Sequence, residues 1–357
     1  MKSSFNGTGI MGKRKESNLN KKQVHTADIT NPTNIAPNIQ RSMYVTMVRL
    51  RKFEERVAQL LMPPKEIITP CHLYIGQEAV ATGVCANLRN DDYVFSTHRS
   101  HGHYLAKGGD MKALMAELYC KKTGCSKGKG GSMHIASPNV GLPGSSAIVG
   151  GTIPIAVGTA LAFSMQKKNG VSVAFFGDGA VQEGVFYESL NFASLKKLPV
   201  IFVCENNLYC THLPIAACLA DTEIYKKASV FAMSGIRVDG NNVIEVFSTA
   251  KKAIEDARSG KGPTLIECMT YRWRGHVGPY DDLDKGLRSK EELDCWTKKC
   301  PIRRFERLLL EQGIILDTEK DQIHKDISEE VEESVIFARE SPYPDKAELT
   351  RNVFKQK

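Results

Sequence analysis

The chain has 357 residues, 25% of them charged, and a formal net charge of +8. Lys2, Lys13, Arg14, Lys15, Lys21 and Lys22 against Glu16 account for five of those charges, which leaves +3 on the remaining 332 residues, too little to argue for a nucleic-acid partner. No stretch reaches the roughly 18 apolar residues needed to cross a bilayer, and the ten cysteines contain no Cys-x-x-Cys pair, so reduced and mostly buried thiols are expected rather than a metal or disulfide framework.

The first 40 residues are rich in Asn, Ser, Thr, Lys and Gly and read as a mobile basic and polar tail. They carry neither an apolar h-region nor an Arg-rich amphipathic pattern, so the expected compartment is the cytoplasm in preference to an organellar matrix. Met43, Met47, Leu50, Phe53, Val57 and Leu60–Leu61 follow as a helical stripe. Asp92–Ser96 is the first predicted strand, and it delivers Thr97-His98-Arg99 at its C-terminal end. Thr152–Met165 is predicted as a helix of small residues able to pack closely on a sheet. Val171–Phe176 and Leu198–Cys204 are apolar runs of buried-strand type. Between them, residues 180–197 have helix length, with Val181, Val185, Leu190 and Leu195 as the inward stripe. A short strand at Ile236–Val238, a helix over 243–258 and a strand over 264–273 complete the pattern. From Lys285 onward the chain is charged and helical, with apolar patches at Leu308–Leu310 and Ile314–Leu316.

This alternation predicts an α/β fold, a doubly wound and mostly parallel sheet flanked by helices. The expected organisation is a tail over 1–40, one binding domain over 41–290 and a helical extension over 291–357 that packs on the core or on another subunit. Arg99, Asp178, Asn207 and His276 each fall just past a predicted strand, where a parallel sheet gathers residues along one edge.

The most informative pair is Gly177-Asp178-Gly179 and Glu205-Asn206-Asn207, each closing an apolar run, with Asn207 29 positions after Asp178. One carboxylate and one amide oxygen facing a common crevice suit Mg²⁺ held through a diphosphate, and the flanking glycines let backbone approach that diphosphate closely. The Lys127-Gly-Lys-Gly-Gly131 loop reads either as a phosphate cradle or as a solvated connector.

These residues resemble the thiamine diphosphate motif, which opens with Gly-Asp-Gly and closes with Asn-Asn. Cys71-His-Leu-Tyr-Ile-Gly-Gln-Glu-Ala79, His98-Arg-Ser-His-Gly102, Gly128-Lys-Gly-Gly-Ser-Met-His134, Ile148-Val-Gly150 and Tyr271-Arg-Trp-Arg-Gly-His276 follow in family order. From about Gln40 to about Leu310 the chain is similar to the alpha subunits of two-chain 2-oxo acid dehydrogenases of the pyruvate and acetoin type.

The resemblance implies Asp178, Asn207 and the backbone carbonyl of Tyr209 as Mg²⁺ ligands. It implies His98, Arg99, Gly179 and Ala180 at the thiamine diphosphate, and Ile148 and Val149 along the wall around its rings. His72 and His276 are implied as catalytic imidazoles at the channel mouth, with His276 also touching the cofactor. His101, His103 and His134 are left as loop-ordering or channel residues. A beta subunit supplies the carboxylate that activates the cofactor, in a heterotetramer of two alpha and two beta chains. A lipoylated transacylase accepts the acyl group, and the substrate is a 2-oxo acid, pyruvate first, or acetoin.

The sequence departs from the pattern at three places. His98 stands where pyruvate-type subunits usually carry Tyr, and Ala147 where mitochondrial ones carry Gly. Val277 replaces their phosphorylatable serine, which removes control by phosphate at that position. Two rival readings are a split transketolase-type subunit and a non-catalytic assembly paralogue. The dehydrogenase-like segments 71–79 and 127–134 count against the first, and the intact set Asp178, Asn207, Arg99, His72 and His276 counts against the second.

Overall fold

A computed structural model of the chain describes residues 35–351, so most of the predicted tail lies outside the described residues. Strands β1 (Tyr93–Ser96), β2 (Gly144–Ser145), β3 (Ser172–Gly177), β4 (Val200–Asn206), β7 (Ser234–Asp239) and β8 (Thr264–Met269) form one sheet in the order β2-β1-β3-β4-β8-β7. Every pairing in it is parallel. A separate antiparallel ribbon joins β5 (Tyr209–Cys210) to β6 (Leu213–Pro214).

Side chains alternate across the sheet with period two. Val94, Val173, Phe175, Ile201, Val203, Ile266 and Cys268 point to one buried cluster, and Phe95, Ala174, Phe176, Phe202, Cys204 and Leu265 to the other. Both faces are therefore covered, as a parallel sheet requires. The first is covered by α1 (Pro37–Leu60), α2 (Glu78–Cys85), α3 (His101–Ala106), α4 (Met111–Leu118) and α8 (Val243–Arg258). The second is covered by α5 (Thr152–Met165) and α6 (Gly184–Lys196), and α7 (Ile215–Cys218) lies just beyond the β5–β6 ribbon. Asp110 caps α4 through Lys112 N at 3.0 Å and Ser289 caps the helix after it through Glu292 N at 3.0 Å, so local sequence sets where these helices begin.

The expected helices and strands are present, and three details differ. Residues Asp178–Gln182 form a 3₁₀ turn and Glu183 is extended, so α6 opens at Gly184 and not at Ala180. Its buried face is Phe186, Ser189, Leu190 and Ala193, while Val185 is half-buried and Leu195 is 72% exposed. Leu195 follows the buried Leu190 by five residues, which at 3.6 residues per turn takes it off the buried face.

The last predicted strand ends at Met269 because the chain changes partner there. Thr270 Oγ1 donates to Gly76 O at 3.3 Å and Trp273 N to Ile75 O at 3.1 Å. Its continuation is latched by the buried Arg288, which donates to Asp282 Oδ1 at 2.5 Å, Arg272 O at 2.5 Å and Arg274 O at 3.0 Å.

Of the C-terminal helices α9 (Lys290–Lys298), α10 (Pro301–Glu311) and α11 (Asp317–Glu340), the last two share the first cluster through Ile302, Phe305, Leu309, Ile323, Ile327, Val331 and Val335. Four of these lie on α11 at four-residue spacing, each worth about 1.5–3 kcal/mol of transfer free energy when buried. Helix α1 starts at Pro37, a favoured first helical position, and buries the whole predicted stripe from Met43 to Leu61. No described helix is long and apolar enough to cross a membrane.

Candidate functional site

Parallel strands place their C-terminal ends on one edge, and a cavity opens there. In the β3–β4 register Gly177 faces Glu205, so Asp178 and Asn207 leave from adjacent strand tips. The cavity is lined by every residue singled out from the sequence for the site: His72, His98, Arg99, Ile148, Val149, Asp178, Gly179, Ala180, Asn207, Tyr209 and His276. Gln77, Glu205 and Arg272 line it as well and were not singled out.

Asp178 is buried and its Oδ2 has no hydrogen-bond partner. Burial pushes its carboxyl up to about 6, against a smaller opposing pull from backbone amides of Asp178, Asn207 and Gly179 and from the Arg272 charge. Gly179 is required by close approach, since a Cβ there would lie 2.5 Å from Cys210 Sγ on the ribbon. Asn207 donates from Nδ2 to Gln77 Oε1 at 3.2 Å and accepts at Oδ1 from Arg272 Nε at 3.2 Å. Tyr209 is anchored from outside the cavity, its hydroxyl donating to Glu292 Oε2 at 2.7 Å.

Two buried guanidiniums face this carboxylate–amide pair. Arg99 donates to Leu73 O at 2.6 Å and His276 O at 3.2 Å, and Arg272 donates to Thr211 O at 2.9 Å while its Nη1 has no partner. Neither forms an ion pair among the described residues, although both are almost wholly removed from solvent. Burial, and then the charge of Arg272, brings Arg99 down to about 9. Burial, and then the charge of Arg288, brings Arg272 down to about 10. Two desolvated guanidiniums, neither of them ion-paired, can bind a multiply charged anion.

His72, His98 and His276 pack edge to face on the same wall, with ring centroids 4.5, 4.9 and 5.3 Å apart. Burial first and the Arg99 charge second lower them to about 3, 2 and 3, so all three are neutral at physiological pH. Ile148 and Val149 stand 71% and 50% exposed at the rim. Glu205 is fixed on the inner wall by the Tyr74 hydroxyl and by His103 Nε2 at 3.2 Å.

The remaining histidines divide. His103 shares Nδ1 with Ser96 Oγ at 2.7 Å and stacks on Phe175, and His101 bridges the Glu54 carboxylate and Ser132 Oγ, so both order buried structure behind the cavity. His134 is exposed. The phosphate-cradle reading of residues 127–131 is overturned. The backbone amides of Ser126, Gly128, Gly130 and Gly131 all donate to the buried Glu117 carboxylate at 2.8–3.0 Å, and none of 127–131 lines the cavity. Left-handed backbone at Lys127, Gly128 and Gly131 converges these amides on an internal anion, so the loop is neither a free cradle nor a solvated connector.

Arg272 carries the one legible signal that was passed over: Tyr271-Arg-Trp-Arg-Gly-His276 holds two arginines at the end of a predicted strand, and only packing shows that Arg272 turns inward. Glu205 and Gln77 gave no signal of their own, because a carboxylate ending a strand and a glutamine before a helix are common on surfaces.

Residues 45–347 match the family described as dehydrogenase E1 component. The chain is 43% identical over 319 residues to the alpha subunit of acetoin:2,6-dichlorophenolindophenol oxidoreductase from Bacillus subtilis, covering 87% of this chain and 92% of that one. It is 42% identical to a pyruvate dehydrogenase E1 component alpha subunit from Porphyra purpurea, covering 91% of this chain and 95% of that one. The corresponding subunit from Rhizobium meliloti is 40% identical, covering 87% and 88%. With a match that spans most of the chain and relatives aligned almost end to end, the chain belongs to the dehydrogenase E1 component family.

Proposed function

We propose that the chain is the alpha subunit of a heteromeric thiamine diphosphate-dependent dehydrogenase. Its reaction is oxidative decarboxylation of a 2-oxo acid, pyruvate first, or cleavage of acetoin, with the acyl group passed to a lipoyl group on a transacylase. The carrying observation is the pair of buried guanidiniums, Arg99 and Arg272, with no carboxylate partner among the described residues and with the unpartnered Asp178 Oδ2 in the same cavity.

A diphosphate would supply the missing counter-charge, and a divalent cation held by Asp178 would relieve a buried carboxylate. In this reading Asp178, the Asn207 side chain and the Tyr209 carbonyl hold Mg²⁺, while Arg99, Arg272 and the backbone at Gly179 and Ala180 hold the diphosphate. Bound thiamine diphosphate supplies the electron sink for carbon–carbon cleavage. His72 and His276 act as neutral imidazoles that donate a proton to, or take one from, the reacting oxygen. Ile148 and Val149 cover the rings and exclude water.

The names of the relatives as alpha subunits support a beta partner. A heterotetramer of two alpha and two beta chains is the assembly assigned here. The test is to coexpress the chain with its beta partner and measure turnover of a 2-oxo acid panel and of acetoin, with lipoamide or a dye as acceptor. Activity that needs both chains, Mg²⁺ and thiamine diphosphate is expected. Turnover by the chain alone, or ketol transfer between sugar phosphates with no 2-oxo acid turnover, overturns the reading.

A further inference from the structure

The three imidazoles on the cavity wall make a donor set that oxygen-seeking Mg²⁺ does not need. His72, His98 and His276 each present a ring nitrogen, and these atoms all lie within 4.8 Å of one another. The rings meet at 64°, 79° and 53°, so none is stacked flat against another and each can turn an edge toward a common centre. His72 is more than nine-tenths buried, and its Nδ1 has no hydrogen-bond partner. Among the described residues no side chain hydrogen-bonds to any of the three rings, so no bond must break for them to close.

We infer that His72, His98 and His276 form a binding site for a borderline transition-metal ion, Zn²⁺ foremost, and that a metal held there blocks the channel mouth. Three neutral imidazoles with an open fourth position suit Zn²⁺, and imidazole donors favour such ions over Mg²⁺ and Ca²⁺. Tetrahedral zinc, with bonds of about 2.0–2.1 Å, needs its nitrogens roughly 3.3 Å apart, so the rings close by about an ångström or a little more. That is within reach of side-chain rotation alone.

The rings are neutral at physiological pH, so a metal displaces no proton, and its three nitrogen bonds must outweigh the opposing Arg99 charge. The residue that completes the triad is His98. Because the same rings are assigned proton transfer, a bound metal takes their lone pairs and fills the space the substrate carbonyl needs.

The experiment uses the chain assembled with its beta partner, stripped of metal and cofactor. Zn²⁺ is titrated by calorimetry, and Co²⁺ is followed by its visible absorption. One Zn²⁺ per alpha chain is expected, with a Co²⁺ spectrum of a four-coordinate nitrogen site. His98→Gln should lower Zn²⁺ affinity on the order of 100-fold, and His98→Cys, which restores a ligand, should recover most of it. Melting temperature without metal reports whether each variant is folded. The exposed thiol Cys295 is the rival site, so Cys295→Ser should leave Zn²⁺ uptake unchanged.

Undiminished Zn²⁺ binding by folded His98→Gln, loss of binding in Cys295→Ser, or no uptake by the wild type overturns the site. Zn²⁺ bound with turnover unchanged overturns the blockade. The binding arm uses no turnover, so its outcome is independent of the proposed function.

Discussion

Arg272 donates from Nε to Asn207 Oδ1 at 3.2 Å, joining the loop past β8 to the tip of β4 across 65 residues of sequence. The contact fixes which way the Asn207 amide points, with Gln77 accepting from its other end at 3.2 Å. Arg272 therefore orients a proposed metal ligand while presenting its unpartnered Nη1 to the anion side. Lysine cannot do both, since it lacks the planar fork. Arg272→Lys is expected to weaken Mg²⁺-dependent binding of thiamine diphosphate by about 10–100-fold in calorimetry. An unchanged affinity would show that Arg272 only supports the loop.

Asp178→Asn separates stability from binding. The folded-state carboxyl is raised from 3.8 to about 6 by burial, so the protonated form is the one folding favours. Its contribution is complete below about pH 4 and is lost as pH rises through about 6. Above pH 7 the cofactor-free wild type should be less stable than Asp178→Asn by about 1–3 kcal/mol, with the gap closing toward pH 4. The same substitution should abolish Mg²⁺-dependent cofactor uptake. Denaturant unfolding across pH checks the first half, and a wild type more stable than the variant at pH 8 would refute it.

Glu117 holds four backbone amides with one carboxylate, and glutamine offers a single oxygen to the same ring of donors. Glu117→Gln leaves at least one N–H facing an amide N–H and removes the charge assistance. We expect a loss of about 2–4 kcal/mol of stability, read as a lower urea midpoint. A midpoint within experimental error of wild type would mean that the loop relaxes at little cost.

Gly179→Ala places a Cβ 2.5 Å from Cys210 Sγ, so that sulfur must move or the turn and the ribbon must part. Cofactor affinity should fall by about tenfold or more, and Cys210→Ala, which removes that sulfur, should restore part of it when combined with Gly179→Ala. Strictly additive losses in the double variant would exclude the clash as the cause.

The sequence alone determined the alternation of strands and helices, the strand ends that carry Arg99, Asp178 and Asn207, and the family, because periodicity and motif order are local or linear properties. The eleven residues singled out from the sequence for the site all line one cavity, and Arg272 was missed. What only tertiary structure decided was the direction each buried polar group faces. Arg272 turns inward because Arg288 latches its loop and the chain exchanges sheet partners after Met269. The glycine loop closes on Glu117 because a buried carboxylate demands donors. In each case the deciding contact lies far away in sequence or depends on how a buried charge is satisfied, and neither can be read from a short window of residues.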